Sequence, residues 1–367
     1  MRSNEQTPLV WNNKQYDKFL IIENHDIQAG FCALIVFALN GLRKAKAINA
    51  IPVIDFNAQN TCYFYDESRG DSIWEYFFEP VSPFNITQIN AWLKSGTIKQ
   101  DTVARLSADE FGYLHHHDPD RLATFWAWCA PEDKAAWIRA KRELGRKYIS
   151  NYVKPKAYIT DKVEQFCTQH FKGKLVFGVH IRGTDFNYAT PLHTRIYMEK
   201  LNTLIAGLAQ QEYCIFVATD QKQYLQELSN RYGSRVIAYD ATRSSNHIAP
   251  FKLSTLSGYQ KGEEVLTDML ILSRCHHIIK GPAALGEMAL WFTDHDDITD
   301  LALQSEFHAK PYDKLSSAFS ALNVDQLQAG QLAKQKWKEK LVKRIYSWKI
   351  VAFFYKRSAH VRRWLNH

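Results

Sequence analysis

Residues 175–188 read Leu-Val-Phe-Gly-Val-His-Ile-Arg-Gly-Thr-Asp-Phe-Asn-Tyr, an apolar run that stops abruptly in a His-x-Arg-Gly-Thr-Asp cluster. A near-continuous apolar stretch such as Val176–Ile181 suits a strand buried on both faces, which points to an α/β fold around a parallel sheet. Ligands of such sheets bind just beyond the carboxyl ends of the strands, so a polar cluster at a strand end reads as a binding site. A cation there implies an anionic ligand. Arg182 offers a planar fork of donors matched to phosphate, His180 is a second donor, and Asp185 either holds the guanidinium or accepts a proton. A plain Arg182–Asp185 ion pair at a strand end would leave the same trace.

Two later segments are of the same kind. Cys214–Asp220, Cys-Ile-Phe-Val-Ala-Thr-Asp, is another apolar strand ending in a polar pair, and residues 263–292 read helix, strand, loop, helix. The loop Gly281-Pro282-Ala283-Ala284-Leu285-Gly286 bridges a strand at Ile278–Ile279 and a helix expected from Glu287. Backbone N–H groups at such a helix start can meet a diphosphate, with Lys280 beside them.

Together these segments resemble the three-motif signature of the α-1,6- and protein O-fucosyltransferase superfamily, which includes the bacterial nodulation-factor fucosyltransferases. In that group the first motif closes on His-x-Arg-(Arg)-Thr-Asp, the second on Ala-Thr-Asp, and the third contains Asp-x-x-x-Leu-Ser-x-Cys before a small-residue loop. Here they stand as His180-Ile181-Arg182-Gly183-Thr184-Asp185, Ala218-Thr219-Asp220, and Asp268 with Leu272-Ser273-Arg274-Cys275, in the same order, over residues 174–292. An aromatic stretch at Asp71–Pro80 extends the likeness into the first half. The resemblance implies a GT-B-like fold of two facing Rossmann-like domains, with the donor nucleotide bound by the second. It implies that Asp268 recognises the nucleobase, a carboxylate suiting two guanine N–H groups, and that Asp220 supports the site. Two departures matter: Gly183 stands where the α-1,6 enzymes have a second arginine, so the phosphate clamp has lost one cation, and the lysine and glutamate those enzymes carry after the motif for acceptor activation are absent from Phe186–Thr190. Alanines also replace serines in the third loop.

The first half opens with a strand at Phe19–Glu23, a polar loop ending at Gly30, an apolar helix over Phe31–Ala47 and a strand at Ile51–Phe56, a βαβ unit. Gly30 either lets a ligand approach a helix start or simply makes a tight turn. Trp74, Phe77 and Phe78 fall at core spacing, although Asp66, Glu75 and Glu79 among these aromatics would also suit an acceptor cleft. Residues 113–158 read as mostly helical, with Trp126, Trp128 and Trp137 as buried anchors and Arg139–Arg146 as a solvated charged face. His115-His116-His117-Asp118 reads as a polar loop, since consecutive histidines diverge and rarely chelate one ion. There is no Cys-x-x-Cys pair and no Asp-x-Asp pair of the sort that holds a divalent ion against a sugar diphosphate, so no metal or other cofactor is expected.

The six cysteines, Cys32, Cys62, Cys129, Cys167, Cys214 and Cys275, lie far apart in apolar segments and read as reduced core thiols. The start of the chain lacks a signal-peptide core and no run of about 18 apolar residues could span a bilayer, so a cytoplasmic protein is expected. The net charge of +8 is carried by the end of the chain, where residues 334–367 hold eleven Lys or Arg against Glu339 alone. Trp337, Tyr346, Trp348, Phe353, Phe354, Tyr355 and Trp364 interleave with them. Rings at headgroup level beside cations suit an anionic membrane surface; a packed terminal helix or a nucleic-acid contact would share the composition, and no nucleic acid is expected.

The expected organisation is an acceptor-side α/β domain at 1–172, a nucleotide-sugar domain at 173–310, a closing helical segment at 311–333 and a basic helical tail at 334–367. The expected activity is inverting, metal-independent sugar transfer from a nucleotide sugar, GDP-fucose by resemblance, to a glycan or lipid-linked saccharide at the inner membrane face. Arg182 would stabilise charge on the leaving phosphate, and Asp185, His193 or Glu287 would act as base. Gly30, His180, Asp220, Asp268, Lys280 and the loop residues Gly281, Ala283, Ala284 and Leu285 would complete the donor site. Another GDP-, CMP- or UDP-sugar, or a non-catalytic nucleotide- or glycan-binding adaptor, fits the same residues.

Overall fold

The computed structural model describes residues 9–24, 30–57, 63–106, 122–124, 134–184, 192–208 and 210–303. A hairpin of β1 (Leu9–Trp11) and β2 (Lys14–Tyr16) comes first, turning through Asn12 and Asn13 at φ 49° and 58°, a left-handed backbone that asparagine tolerates. Then β3 (Lys18–Glu23), α1 (Phe31–Ala47) and β4 (Ala50–Asp55) form the expected βαβ unit, with Phe19 opposite Ile51 and Ile21 opposite Val53. After α2 (Ile73–Phe77) and α3 (Ile86–Ser95), β5 (Val103–Leu106) joins the free side of β3, giving a parallel sheet of order β4-β3-β5.

Two helices, α4 (Lys134–Tyr152) and α5 (Ala157–His170), lead to Gly173, whose φ of 75° turns the chain into the second sheet. There follow β6 (Leu175–Ile181), α6 (Thr194–Ala206), β7 (Tyr213–Thr219), α7 (Lys222–Tyr232), β8 (Val236–Ile237), α8 (Gly258–Leu272), β9 (His277–Lys280), α9 (Ala284–Ala289) and β10 (Ile298–Asp300). All five strands are parallel, in the order β10-β9-β6-β7-β8. The chain winds outward one way from β6 to β8, then crosses back to add β9 on the other side. Strand order therefore reverses between β6 and β9, and a crevice opens at the carboxyl ends of such a pair.

One apolar cluster joins the two sheets. It runs from Leu20 and Phe31 through Phe77 to Leu266 and Trp291, all buried. Residues 63–78 grip α8: the Phe77 and Tyr259 rings stack at 5.4 Å, and the Arg69 guanidinium lies 4.0 Å from the Tyr259 centroid. A Cβ on Gly258 would sit 2.0 Å from the Tyr65 carbonyl oxygen, so only glycine lets α8 start this close. Trp74, Phe77 and Phe78 are core residues, as their spacing predicts.

Three expectations need correction. The helical run ending at Tyr158 breaks around Pro155, where a helical N–H is missing. Trp137 is only half-buried, with the Lys141 ammonium 5.3 Å from its ring centre; Ile138 is the buried anchor of that turn. The charged face at Arg139–Arg146 is not fully solvated either, because Lys141 and Arg142 are buried at 2% and 6% exposure and Arg142 meets carboxylates from α9 and β10. The expected segments at 311–333 and 334–367, the His115–Asp118 run, Trp126, Trp128, Cys62 and Cys129 lie outside the described residues. Cys32, Cys167, Cys214 and Cys275 are free thiols. No helix among the described residues is long and apolar enough to cross a membrane.

Candidate functional site

The turn that follows β6 is built around one carboxylate. Asp220, just past β7, accepts the Gly183 N–H at 2.8 Å on Oδ1, and on Oδ2 accepts the Thr184 N–H at 3.2 Å together with the Thr184 hydroxyl. The Arg182 Nε lies 3.0 Å from the same Oδ2 and donates to the Thr184 carbonyl at 3.1 Å. The guanidinium carbon stands 5.6 Å from the Phe251 ring centre, and that ring meets Tyr63 edge-on at 5.1 Å. Arg182 is thus a fixed cation, its side chain 27% exposed, at the strand-order reversal.

Gly183 is explained by its surroundings. A Cβ there would lie 2.3 Å from Tyr224 Cε2 and 2.4 Å from Gln221 Oε1, and Gln221 is itself held by the Asn246 carbonyl at 2.8 Å. No second arginine fits at this position without displacing both.

The first helix of the amino-terminal half begins close enough to this cation for the Arg182 charge to act on Cys32. Gly30 precedes α1 at φ −69° with open space where a Cβ would be, so a tight turn does not require it. Among the described residues the helix has neither a side-chain cap nor an acidic residue in its first turn, where its N–H groups carry partial positive charge. Burial pushes the Cys32 thiol up to about 12, with the charge of Arg182 acting against that rise. Two sources of positive potential from different sheets therefore converge, an arrangement suited to an anion.

Several expected site residues take other places. His180 is 4% exposed; burial, then the charges of Arg182 and Lys280, push its pKa down to about 3, so it is a neutral ring and not a charged donor. Its Nδ1 is buried and unpartnered. Lys280 is 1% exposed, with its ammonium 3.0 Å from Glu287 Oε2 and 3.1 Å from Asp300 Oδ2. Glu287 is fully buried, and Arg142 grips it with two bonds, Nε to Oε1 at 2.9 Å and Nη2 to Oε2 at 2.8 Å. Arg142 Nη2 also reaches Asp300, whose carboxyl stays below its usual range because Lys280 and Arg142 outweigh its burial. In this closed set of two cations and two anions, Glu287 and Lys280 are engaged with each other and with Arg142 and Asp300.

The third loop is shorter than expected. The helix begins at Ala284 and not at Glu287, and Ala283 closes the loop by donating its N–H to Gly281 at 2.9 Å. That N–H is engaged within the loop, whereas Ala284, Leu285 and Gly286 begin the helix without intrahelical partners for their N–H groups. Gly281 leaves no room for a side chain, as a Cβ would stand 2.4 Å from the Tyr197 hydroxyl. His193 caps α6, its Nδ1 accepting the Arg195 N–H at 3.1 Å, and is exposed. Asp185 lies outside the described residues.

Asp268 lies on α8, its side chain 9% exposed, and its nearest cation is Arg243, with Nη2 at 4.0 Å from Oδ2. Burial pushes the carboxyl pKa up to about 7; Arg243 opposes the rise and Glu264 adds to it. Arg243, Phe251 and Gln221 were invisible to motif reading. They sit in or beside an irregular stretch after β8, with neither periodicity nor a motif to mark them.

Among the described residues no group of three or more His, Cys, Asp or Glu could hold a metal ion. A cavity between Arg274–His276 and Thr293–His295 lies at the amino end of β9, the far edge of the sheet from Arg182. No family model and no curated protein matches the chain. Among solved structures it is similar to NodZ α-1,6-fucosyltransferase co-crystallised with GDP, at 20% identity over 76% of this chain and 93% of that one, with a TM-score of 0.48. It is also similar to an Arabidopsis thaliana FUT1 mutant in complex with GDP, at 9% identity over 78% and 70% of the two chains and a TM-score of 0.44. A third is POFUT1 in complex with GDP-fucose, at 8% identity over 78% and 98% and a TM-score of 0.42. At these values the chemistry of the site rests on its own residues.

Proposed function

We propose that the chain is a glycosyltransferase that takes a nucleoside-diphosphate sugar, with GDP-fucose as the donor favoured by its three motifs. The observation that carries this reading is Arg182, a cation fixed by Asp220 at the strand-order reversal and close to the uncapped start of α1. Breaking the bond between sugar and diphosphate leaves negative charge on the β-phosphate oxygen, and a preorganised cation lowers the barrier to that step. The diphosphate would lie between Arg182, the α1 start and the N–H groups of Ala284–Gly286. The base would sit toward Asp268, whose carboxylate suits two N–H donors of guanine.

In this reading the two α/β halves are the facing parts of a GT-B arrangement, and the acceptor hydroxyl attacks the anomeric carbon from the side opposite the phosphate, inverting it without a metal. With Glu287 locked in its ion pairs, Asp185 is the first choice as base and His193 the second. The acceptor is a glycan or lipid-linked saccharide, and the basic segment 334–367 holds the protein to the anionic inner face of the membrane.

Calorimetric titration with GDP, UDP and CMP, followed by turnover of GDP-fucose, tests the reading. GDP should bind in preference to UDP and CMP, its affinity should fall in Arg182→Ala, and turnover should drop by about 10²–10³, the usual effect of removing one donor to a developing oxyanion. UDP or CMP preference would change the donor, and no binding to any of the three would overturn the enzyme.

A further inference from the structure

Arg243 and Asp268 each carry a polar group with nothing to bind. Arg243 donates Nη1 to the Ala241 carbonyl and Nη2 to the Tyr239 carbonyl, both at 2.9 Å. Its Nε is buried without a partner, as is Asp268 Oδ1, and the two side chains are only 7% and 9% exposed. The 4.0 Å between Nη2 and Oδ2 is an ion pair by charge but too long for a hydrogen bond. A shift of about 1 Å would join them. The backbone carbonyls hold the guanidinium short of that.

The stretch that carries Arg243 is anchored firmly. Ser244 donates its N–H to the Asp220 carbonyl at 2.8 Å, and Thr242 donates its own to Glu264 on α8 at 2.8 Å. The Asp220 that orders the Arg182 turn through its side chain thus positions Arg243 through its backbone. Arg182 and the Arg243–Asp268 pair therefore share the carboxyl edge of the sheet, as the phosphate and base ends of one ligand would require.

Buried donors and acceptors without a partner are rare in native proteins, and a bound ligand is one way to satisfy such a pair. We infer that Arg243 is a specificity residue of the base subsite, donating Nε–H to the ring carbonyl oxygen of guanine while the Asp268 carboxylate accepts the adjoining imino and amino N–H groups. This rests on the proposed reading of the site as a nucleotide site and adds a second reader to it. Guanine presents carbonyl, imino N–H and amino N–H along one edge. Uracil would set a second carbonyl against the carboxylate, cytosine a ring nitrogen lone pair, and adenine has no carbonyl for Nε–H to meet.

The test compares GDP with 6-thioguanosine diphosphate, which keeps both N–H groups and replaces the carbonyl oxygen with sulfur, a poor acceptor. Calorimetry on the full-length protein should show the wild type preferring GDP by about tenfold, the scale of one charge-assisted hydrogen bond. In Arg243→Lys, which keeps the positive charge and lacks Nε–H, that preference should disappear, while Asp268→Asn should weaken both ligands alike. Preference for GDP that persists in Arg243→Lys would overturn the assignment and leave the nucleotide site standing. Should the lysine variant not fold, the wild-type comparison decides alone, since equal affinity for the two ligands means that nothing reads the carbonyl. A wild type that binds neither ligand would remove the nucleotide site and this inference with it.

Discussion

Replacing Asp268 with Asn keeps the size and shape of a buried side chain and removes its titration. Burial pushes the carboxyl pKa from 3.8 to about 7 in the folded protein. At 1.36 kcal/mol per pKa unit, that change corresponds to about 4 kcal/mol. The folded state holds a proton that the unfolded chain has already released, so the stability is present in full below about pH 4 and is lost as pH rises through about 7. Asparagine has no such dependence. Urea denaturation of both proteins between pH 4 and 8 should show the variant gaining about 4 kcal/mol relative to the wild type across that range. The same variant should bind GDP more weakly at pH 8, so stability and binding would move in opposite directions. A stability difference that stays constant from pH 4 to 8 would refute the reasoning, because the carboxylate would then not be desolvated by folding.

Arg142→Met should destabilise the fold by about 3–5 kcal/mol, because it strips one cation from a buried set and leaves Glu287 and Asp300 sharing Lys280; the urea midpoint reports it. Gly183→Ala should lower stability by about 1–3 kcal/mol through contact with Tyr224 and Gln221, and should weaken GDP binding in calorimetry by disturbing the Arg182 turn. Removing residues 334–367 should release the protein from anionic vesicles in a sedimentation assay while leaving GDP affinity unchanged.

Strands and strand ends were legible because burial on both faces leaves an unbroken apolar run, as in Val176–Ile181, and the polar residues that follow mark the carboxyl edge. The helix at Phe31–Ala47 was equally plain, since its apolar residues continue to a basic last turn. Partnerships across long chain separations were not. Arg142 meets Glu287 only because α4 packs beside α9, and from the sequence a charged helix segment looks the same whether water or carboxylates face it. Gly183 read as a lost cation, whereas the fold makes it a matter of space, decided by Gln221 and Tyr224 on a neighbouring connection. Arg243 left no trace at all, because its position depends on backbone carbonyls, which every residue has.

The grip of residues 63–78 on α8 also bears on the order in which the molecule is made. Phe77 and Arg69 leave the ribosome long before Tyr259, their partner in the finished fold. Synthesis at about 5–20 residues per second puts roughly 10–40 s between them. For that interval the nascent amino-terminal half carries an uncovered aromatic face, a surface on which holding chaperones act and on which neighbouring nascent chains can stick.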